Sequence, residues 1–497
     1  MDAPNFILIT TDQQRPDAVG YDNPAIKTPN LDLLAARGIA FRRGYTVNPV
    51  CTPSRASILT GHYPSRHGAY HVGVSLPEDY PTLAQGIADA GYFTGLLGKA
   101  HFQACLDPES FEAAPHIFDR EFFRAWSGPF YGFQHAQLVI GHTSERHAAG
   151  MHYGVWLEEN GVDTSEHFGG HEYTAFGRWD LPEEYHGSKW VADRTIEALD
   201  MAGQAGKPFF LWASFQDPHN PYVVPEPWAG MYDPDSVPLY SLREGEMEDR
   251  PPFYAAVLRD GQGCGDDPDL QHRAWNDVRH RPELDERQRR ELVAAYYGML
   301  SLMDHHVGRI VKALEERGLL ESTVVVFTSD HGDYLGNHGL WGKGLPAYED
   351  AQRVPFLVYH PECRTPGARS MALQSVIDIL PTFMGMAGVA VPPGIQGVDQ
   401  GEAWLDAGAR ARDWAMVEFR PAEGPFVQVT YVEERYKLVL YHDRPYGELY
   451  DLHEDPEQYR NLWDEPDHAG VKEGLIDRFI SAGMEKDGTL RPRPAPA

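Results

Sequence analysis

The sequence predicts an α/β fold: a large, mostly parallel central sheet flanked by helices, with a smaller C-terminal antiparallel-sheet subdomain. Three observations predict it. Short apolar runs recur along the chain up to about residue 400. Helical periods alternate with those runs, as the crossovers of a parallel sheet require. After about Val417 the pattern changes to closely spaced short strands.

The elements follow in order. Asn5–Thr11 (NFILITT) reads as a buried parallel strand ending at Asp12. Leu31–Arg37 reads as a helix stopped by Gly38, and Thr82–Ala90 as a helix closed by Gly91. Tyr92–Leu97 is the next strand. Pro208–Ser214 (PFFLWAS) and Thr323–Ser329 (TVVVFTS) are two more. Between them, Glu286–Arg317 has a long helical period, with Leu292, Tyr296, Met299 and Met303 on one stripe. Pro355–Tyr359 (PFLVY) is another buried strand. Residues 104–190 are rich in His, Phe, Tyr, Trp and Gly with weak periodicity, and read as a large insertion over the sheet edge. The segments FVQVTY, YKLVLYH and GELYDL read as the small antiparallel sheet, followed by a helix near Val471–Phe479. The closing RPRPAPA has the composition of a disordered tail. The main α/β domain is thus placed at 1–400 and a C-terminal α+β subdomain at 401–497.

At 497 residues the chain is too long for one small core. Its formal net charge of -30 disfavours nucleic acid and anionic membrane surfaces as partners. An anionic substrate would therefore need a locally positive pocket. The opening MDAPNFILITTDQQ carries no basic region followed by a long apolar stretch, so a cytoplasmic protein is expected. Four cysteines, Cys51, Cys105, Cys264 and Cys363, do not make a disulfide framework in a chain of this length. The last three read as packing or surface thiols.

The chemistry collects at strand ends. Asp12 and Gln13 follow the first strand, Lys99 and His101 the strand YFTGLL, Asp217 and His219 PFFLWAS, and Asp330 and His331 TVVVFTS. A single Asp after a strand is most often a helix N-cap. Four such ends together describe a site, because ligands of open α/β sheets bind outside the carboxyl ends of the strands. Cys51-Thr52-Pro53-Ser54-Arg55 adds a sharper signal. Pro53 suits the first turn of a helix and Gly61 its stop, so Cys51 lies at a helix N-terminus, where negative charge is favoured. Arg55 stands four residues on, along the same face.

The run CTPSRASILTG resembles the signature of the sulfatase family. So do TTDQQRPD, TPNLDLLAARG, LLGKAHF, FQDPHNPY, TSDHGDYLGNHG and GELYDLHEDPEQYRNL, which together span nearly the whole chain. The resemblance implies a formylglycine made from Cys51 by a maturation enzyme. It implies one divalent metal ion bound by Asp12, Gln13, Asp330 and His331 and touched by residue 51. Arg55 would hold the formylglycine hydrate, and Lys99, His101, His219 and Lys343 would contact the sulfate group and move protons. Lys343, in GLWGKG, is flanked by glycines that suit close approach to a ligand.

The physical account agrees with that implication. A thiol has no easy exit once sulfated, whereas a hydrated aldehyde carries two hydroxyls on one carbon. One attacks sulfur, and the other, deprotonated by His101, lets the aldehyde reform and sulfate leave. His219 would protonate the departing alcohol, and Lys99, Lys343 and the metal would stabilise the non-bridging oxygens. The expected substrate is a small aryl or sugar sulfate. Two departures stand out. Many sulfatases have Asp where Gln13 stands and Asn where His331 stands. The oxygen-rich shell favours Ca²⁺, with Mg²⁺ possible, while the imidazole makes Mn²⁺ plausible. The Gln–His pair is also similar to the phosphonate monoester and phosphodiester hydrolases of the same superfamily. That is the alternative activity, against which the intact GKAH stands. His305 and His306 read as structural, Glu244–Asp249 as a solvated loop, and His152, Tyr153, Trp156 and Trp179 as either pocket wall or local packing.

Overall fold

A computed structural model describes residues 3–240, 242–260, 278–421 and 426–487. The main sheet has nine strands. Eight of them run in the order Ala368–Ser370, Ile39–Tyr45, Arg353–Tyr359, Thr323–Ser329, Asn5–Thr11, Phe209–Ser214, Phe93–Lys99 and His135–Val139. The pairings are parallel except those of Arg353–Tyr359, which is antiparallel to both neighbours. Alternate residues of each strand feed different cores. Ile7 and Ile9 join one face with the helices Gly187–Ala205 and Glu286–Glu316. Phe6 and Leu8 join the other with Cys51–Thr60 and Ile379–Met386. A sheet buried on both faces explains why its strands are continuous apolar runs rather than alternating ones.

The expected strands and helices form with ends moved by a few residues. Thr82 is the N-cap of Leu83–Asp89, its hydroxyl accepting from the Gln85 N–H. The long helix opens with a capping box between Asp285 and Gln288 and ends at Glu316. The C-terminal antiparallel sheet runs through Ala415–Phe419, Gln428–Val432, Tyr436–Tyr441 and Gly447–Asp451, and the last helix spans Ala469–Lys486. The RPRPAPA tail and Cys264 lie outside the described residues. Among the described residues no helix is long and apolar enough to cross a membrane.

Three expectations change. Residues 104–190 do not merely cover the sheet edge: His135–Val139 pairs in parallel with Phe93–Lys99 and extends the sheet. Ile39–Tyr45, unrecognised in the sequence because Arg42 and Arg43 interrupt its apolar run, is a sheet strand. The Arg43 guanidinium is buried there by donating to the carbonyls of Glu433 and Glu434. Glu244–Asp249 is not wholly a solvated loop, because Glu246 is buried and pairs with His338. His152, Tyr153 and Trp179 are buried in packing roles. His152 accepts from the Leu138 N–H and binds the Trp126 carbonyl.

Candidate active site

Strand register builds the site. Thr11 pairs with Ser329, so Asp12 and Asp330 leave adjacent parallel strands side by side. Gly98 pairs with Ser214, which brings Lys99 to the same edge. Helix Cys51–Thr60 is buried along its whole length and stops at Gly61, whose φ of 66° suits glycine. The hydroxyls of Ser54 and Thr46 each donate to the Asp330 carbonyl at 2.6 Å, pinning this helix to the strand end.

Around the Cys51 sulfur stand Lys343 Nζ at 3.1 Å, His331 Nε2 at 3.3 Å and Asp12 Oδ1 at 3.6 Å. Lys99 Nζ donates to Asp12 Oδ2 at 2.5 Å. Lys343 Nζ also reaches His219 Nε2 at 2.7 Å. Arg55 donates to Asp330 Oδ2 at 2.8 Å and Asp12 Oδ2 at 3.3 Å. It also donates to the Lys99 carbonyl at 2.9 Å and Ser214 Oγ at 2.7 Å. Those donors brace the two carboxylates and the Lys99 turn. Arg55 and Lys99 are buried against Asp12 and Asp330, and Lys343 is buried beside the Cys51 sulfur, so three cationic side chains crowd this corner of an acidic protein.

The two histidines next to the sulfur have assignable tautomers. His331 Nδ1 lies 3.0 Å from the Gly332 carbonyl and His219 Nδ1 2.6 Å from the Asn220 carbonyl. A carbonyl only accepts, so each Nδ1 carries a hydrogen, and in the neutral ring each Nε2 turns a lone pair into the site. Burial lowers the His219 pKa, and His142 and Lys343 lower it further. Burial likewise brings His101 down to about 4, although Cys51 opposes the shift. Burial would raise the Cys51 thiol, but Lys343, Lys99 and His331 bring it well below its usual value. Asp12 is lowered despite burial and Cys51, by Lys99, His219 and Arg55. Asp330 is raised by burial and by the Asp12 charge beside it.

Asp12, Cys51, Asp330 and His331 present ligand atoms within 4.8 Å of one another. Gln13 is tied to this corner by its N–H, which donates to Asp330 Oδ1 at 3.2 Å. Its side-chain Nε2 is held by Asp333 at 2.6 Å and Asn220 at 3.1 Å, while Oε1 is buried with no hydrogen-bond partner among the described residues. Two carboxylates, an amide oxygen lacking a donor and an imidazole nitrogen fit a divalent cation.

Asp12, Gln13, Cys51, Arg55, Lys99, His101, His219, Asp330, His331 and Lys343 therefore gather at one corner, whereas the Asp217 carboxylate turns to accept from the hydroxyls of Ser188 and Thr143. Sequence reading missed Asp333, although it stands three residues after Asp330 in the same motif. It also missed His142, whose ring stacks on His219 at 3.4 Å and 7°. His142 is held by Glu145, which accepts from both its backbone N–H and its Nδ1 at 3.0 Å. Nothing local to HTSE signals a stack on a ring 77 positions away.

The family model described as Sulfatase matches residues 4–389, and that of the N-sulphoglucosamine sulphohydrolase C-terminal region matches 336–484. An arylsulfatase of Clostridium perfringens is 31% identical over 472 residues, covering 92% of this chain and 90% of that protein. A phosphonate monoester hydrolase of Silicibacter pomeroyi superposes with a TM-score of 0.79 at 26% identity, over 98% and 96% of the two chains. Another, from Agrobacterium radiobacter, gives 0.78 at 25% identity over 97% and 96%.

Proposed function

The chain belongs to the sulfatase family of the alkaline phosphatase superfamily, and from that premise we propose that it hydrolyses a sulfate monoester at Cys51. In this reading Cys51 is converted to formylglycine by a maturation enzyme. Asp12, Gln13, Asp330 and His331 hold one divalent cation, with Ca²⁺ favoured by the three oxygen donors and Mn²⁺ or Mg²⁺ also compatible. The observation that carries the reading is the convergence of Lys343, His331 and Asp12 on the Cys51 sulfur.

When present, the formylglycine hydrate supplies the nucleophile and the route for sulfate release, and the cation supplies positive charge at the sulfuryl group. The chain's own residues supply the rest. Lys99 and Lys343 place ammonium groups where negative charge develops. His219, its Nδ1–H held by the Asn220 carbonyl, takes a proton at Nε2 from the Lys343 ammonium 2.7 Å away and passes it to the leaving alcohol. His101, neutral at neutral pH, accepts a proton at residue 51. Arg55 holds Asp12 and Asp330 in register and keeps two like charges from separating.

A second reading, phosphonate monoester or phosphodiester hydrolysis at the same residue, is favoured by the Gln13–His331 pair and by the two phosphonate hydrolases among the structural relatives. Peptide mass analysis of residue 51 tests the modification. Paired turnover of 4-nitrophenyl sulfate and 4-nitrophenyl phenylphosphonate tests the reaction. Faster sulfate turnover supports the first reading, and a dominant phosphonate activity would replace it with the second.

A further inference from the structure

A cavity of about 310 Å³ meets the site at His101 and His142. It is at the small end of ligand pockets and has room for one ring rather than an oligomer. Cys105, Leu106, Ile140 and Tyr173 form its apolar wall. Leu106 is 84% exposed, a large aliphatic side chain standing free beside a concave surface. Tyr173 turns a ring edge to both His142, at 6.3 Å and 72°, and His219, at 6.0 Å and 66°. The aromatic wall is thus continuous with the proton-transferring histidine. The Arg279 guanidinium lies 6.0 Å from the Tyr173 ring and puts a cation beside any ring that enters.

The cavity's carboxylates are already engaged. Glu112 accepts from the N–H groups of His101 at 2.8 Å and Gln103 at 2.7 Å, and burial raises its pKa to about 7. Glu145 is committed to His142. Sugar hydroxyls need several uncommitted polar groups aimed at them. The lining ring nitrogens without a hydrogen-bond partner among the described residues, both of His101 and Nε2 of His142, stand at the Cys51 end of the cavity, where the sulfate belongs. A polymer bearing many sulfates would also approach a protein of net charge -30.

We propose that this cavity receives the alcohol half of the substrate, and that this alcohol is a single aromatic or similarly flat apolar ring rather than a sugar. The proposal rests on the sulfate-ester reading above. The test compares 2-phenylethyl sulfate with glucose 6-sulfate. Both are esters of primary alcohols, so intrinsic leaving-group reactivity is matched. The ring ester is expected to have the higher kcat/KM by about tenfold or more. Leu106→Asp, at an exposed position, is expected to raise KM for the ring ester more than for the sugar ester. Calorimetry on Cys51→Ala reads the pocket without turnover, and tighter binding of 2-phenylethyl sulfate is expected. Equal or better binding and turnover of glucose 6-sulfate would overturn the proposal. Selective binding of the ring ester, with no sulfate ester turned over by converted enzyme, would support the pocket assignment and sink the sulfate-ester reading instead.

Discussion

The Gln13 side chain donates through Nε2 to Asp333 Oδ2 at 2.6 Å, and this contact decides which end of the amide is left over. Asp333 also accepts from Tyr222 at 2.5 Å and from the Leu335 N–H at 2.7 Å, so it is itself immobile. The amide cannot flip without losing a charge-assisted bond, which leaves Oε1 as the free acceptor. Asp333→Asn should therefore lower divalent-metal affinity by about 10-fold or more, as loss of an outer-shell partner does. Metal titration followed by calorimetry is the measurement, and unchanged affinity would remove Gln13 from the ligand set.

Asp330 has a raised pKa because it is buried and beside the Asp12 charge. A bound cation would offset that repulsion. Asp330→Asn should therefore weaken metal binding and shrink the stabilisation that added metal gives. Thermal scans with and without chelator should show a smaller metal-dependent rise in melting temperature than in the unsubstituted protein. An equal rise would contradict the ligand assignment.

Cys51→Ala exchanges a buried thiol for a methyl at a position 1% exposed. The variant should fold, bind metal and lose essentially all hydrolysis. Turnover near that of the unsubstituted protein would sink the proposed nucleophile.

His219 and His101 should separate by leaving group. His219→Ala should harm alkyl sulfates more than 4-nitrophenyl sulfate, because a nitrophenolate hardly needs a proton. His101→Ala should slow both esters alike. Rates for a series of esters graded by leaving-group pKa check this, and identical slopes for the two variants would show the roles misassigned.

A pH effect on stability is expected far from the site. Asp304 accepts from the Leu31 N–H at 2.8 Å and from the Asn30 N–H at 3.1 Å. It thereby caps helix Pro29–Arg37, whose own N-cap residue Thr28 makes no side-chain cap bond. Burial raises the Asp304 pKa from 3.8 to about 6. The folded state then holds this proton more tightly than the unfolded one. Stability is greatest below the unfolded value and falls as pH rises through about 6, by at most ~3 kcal/mol. Denaturation of the unsubstituted protein and Asp304→Asn at pH 4 to 7 should show the first losing ground to the second as pH rises. A difference constant with pH would refute it.

The sequence by itself determined the central strands of the sheet and the reactive residues at their ends, though not the strands Ile39–Tyr45 and His135–Val139. Asn5–Thr11, Phe209–Ser214 and Thr323–Ser329 are apolar because both faces of the sheet are covered, and that requirement acts on every residue of a central strand. Asp12 and Asp330 were visible because each directly follows such a strand, Lys99 because it ends one, and His219 because it stands in the loop just past one, and parallel strands must end on one side. Cys51 and Arg55 were visible because helix stop signals are local. Tertiary structure alone decided what those side chains touch. Arg55 spends its donors on Asp12 and Asp330 because three chain segments meet around it, at separations of 43 and 275 residues. The stack of His142 on His219 and the clamp of Asp333 on Gln13 likewise join distant segments. Contacts of this kind depend on strand order and loop paths, to which no local period or cap responds, so they are written only in the folded coordinates.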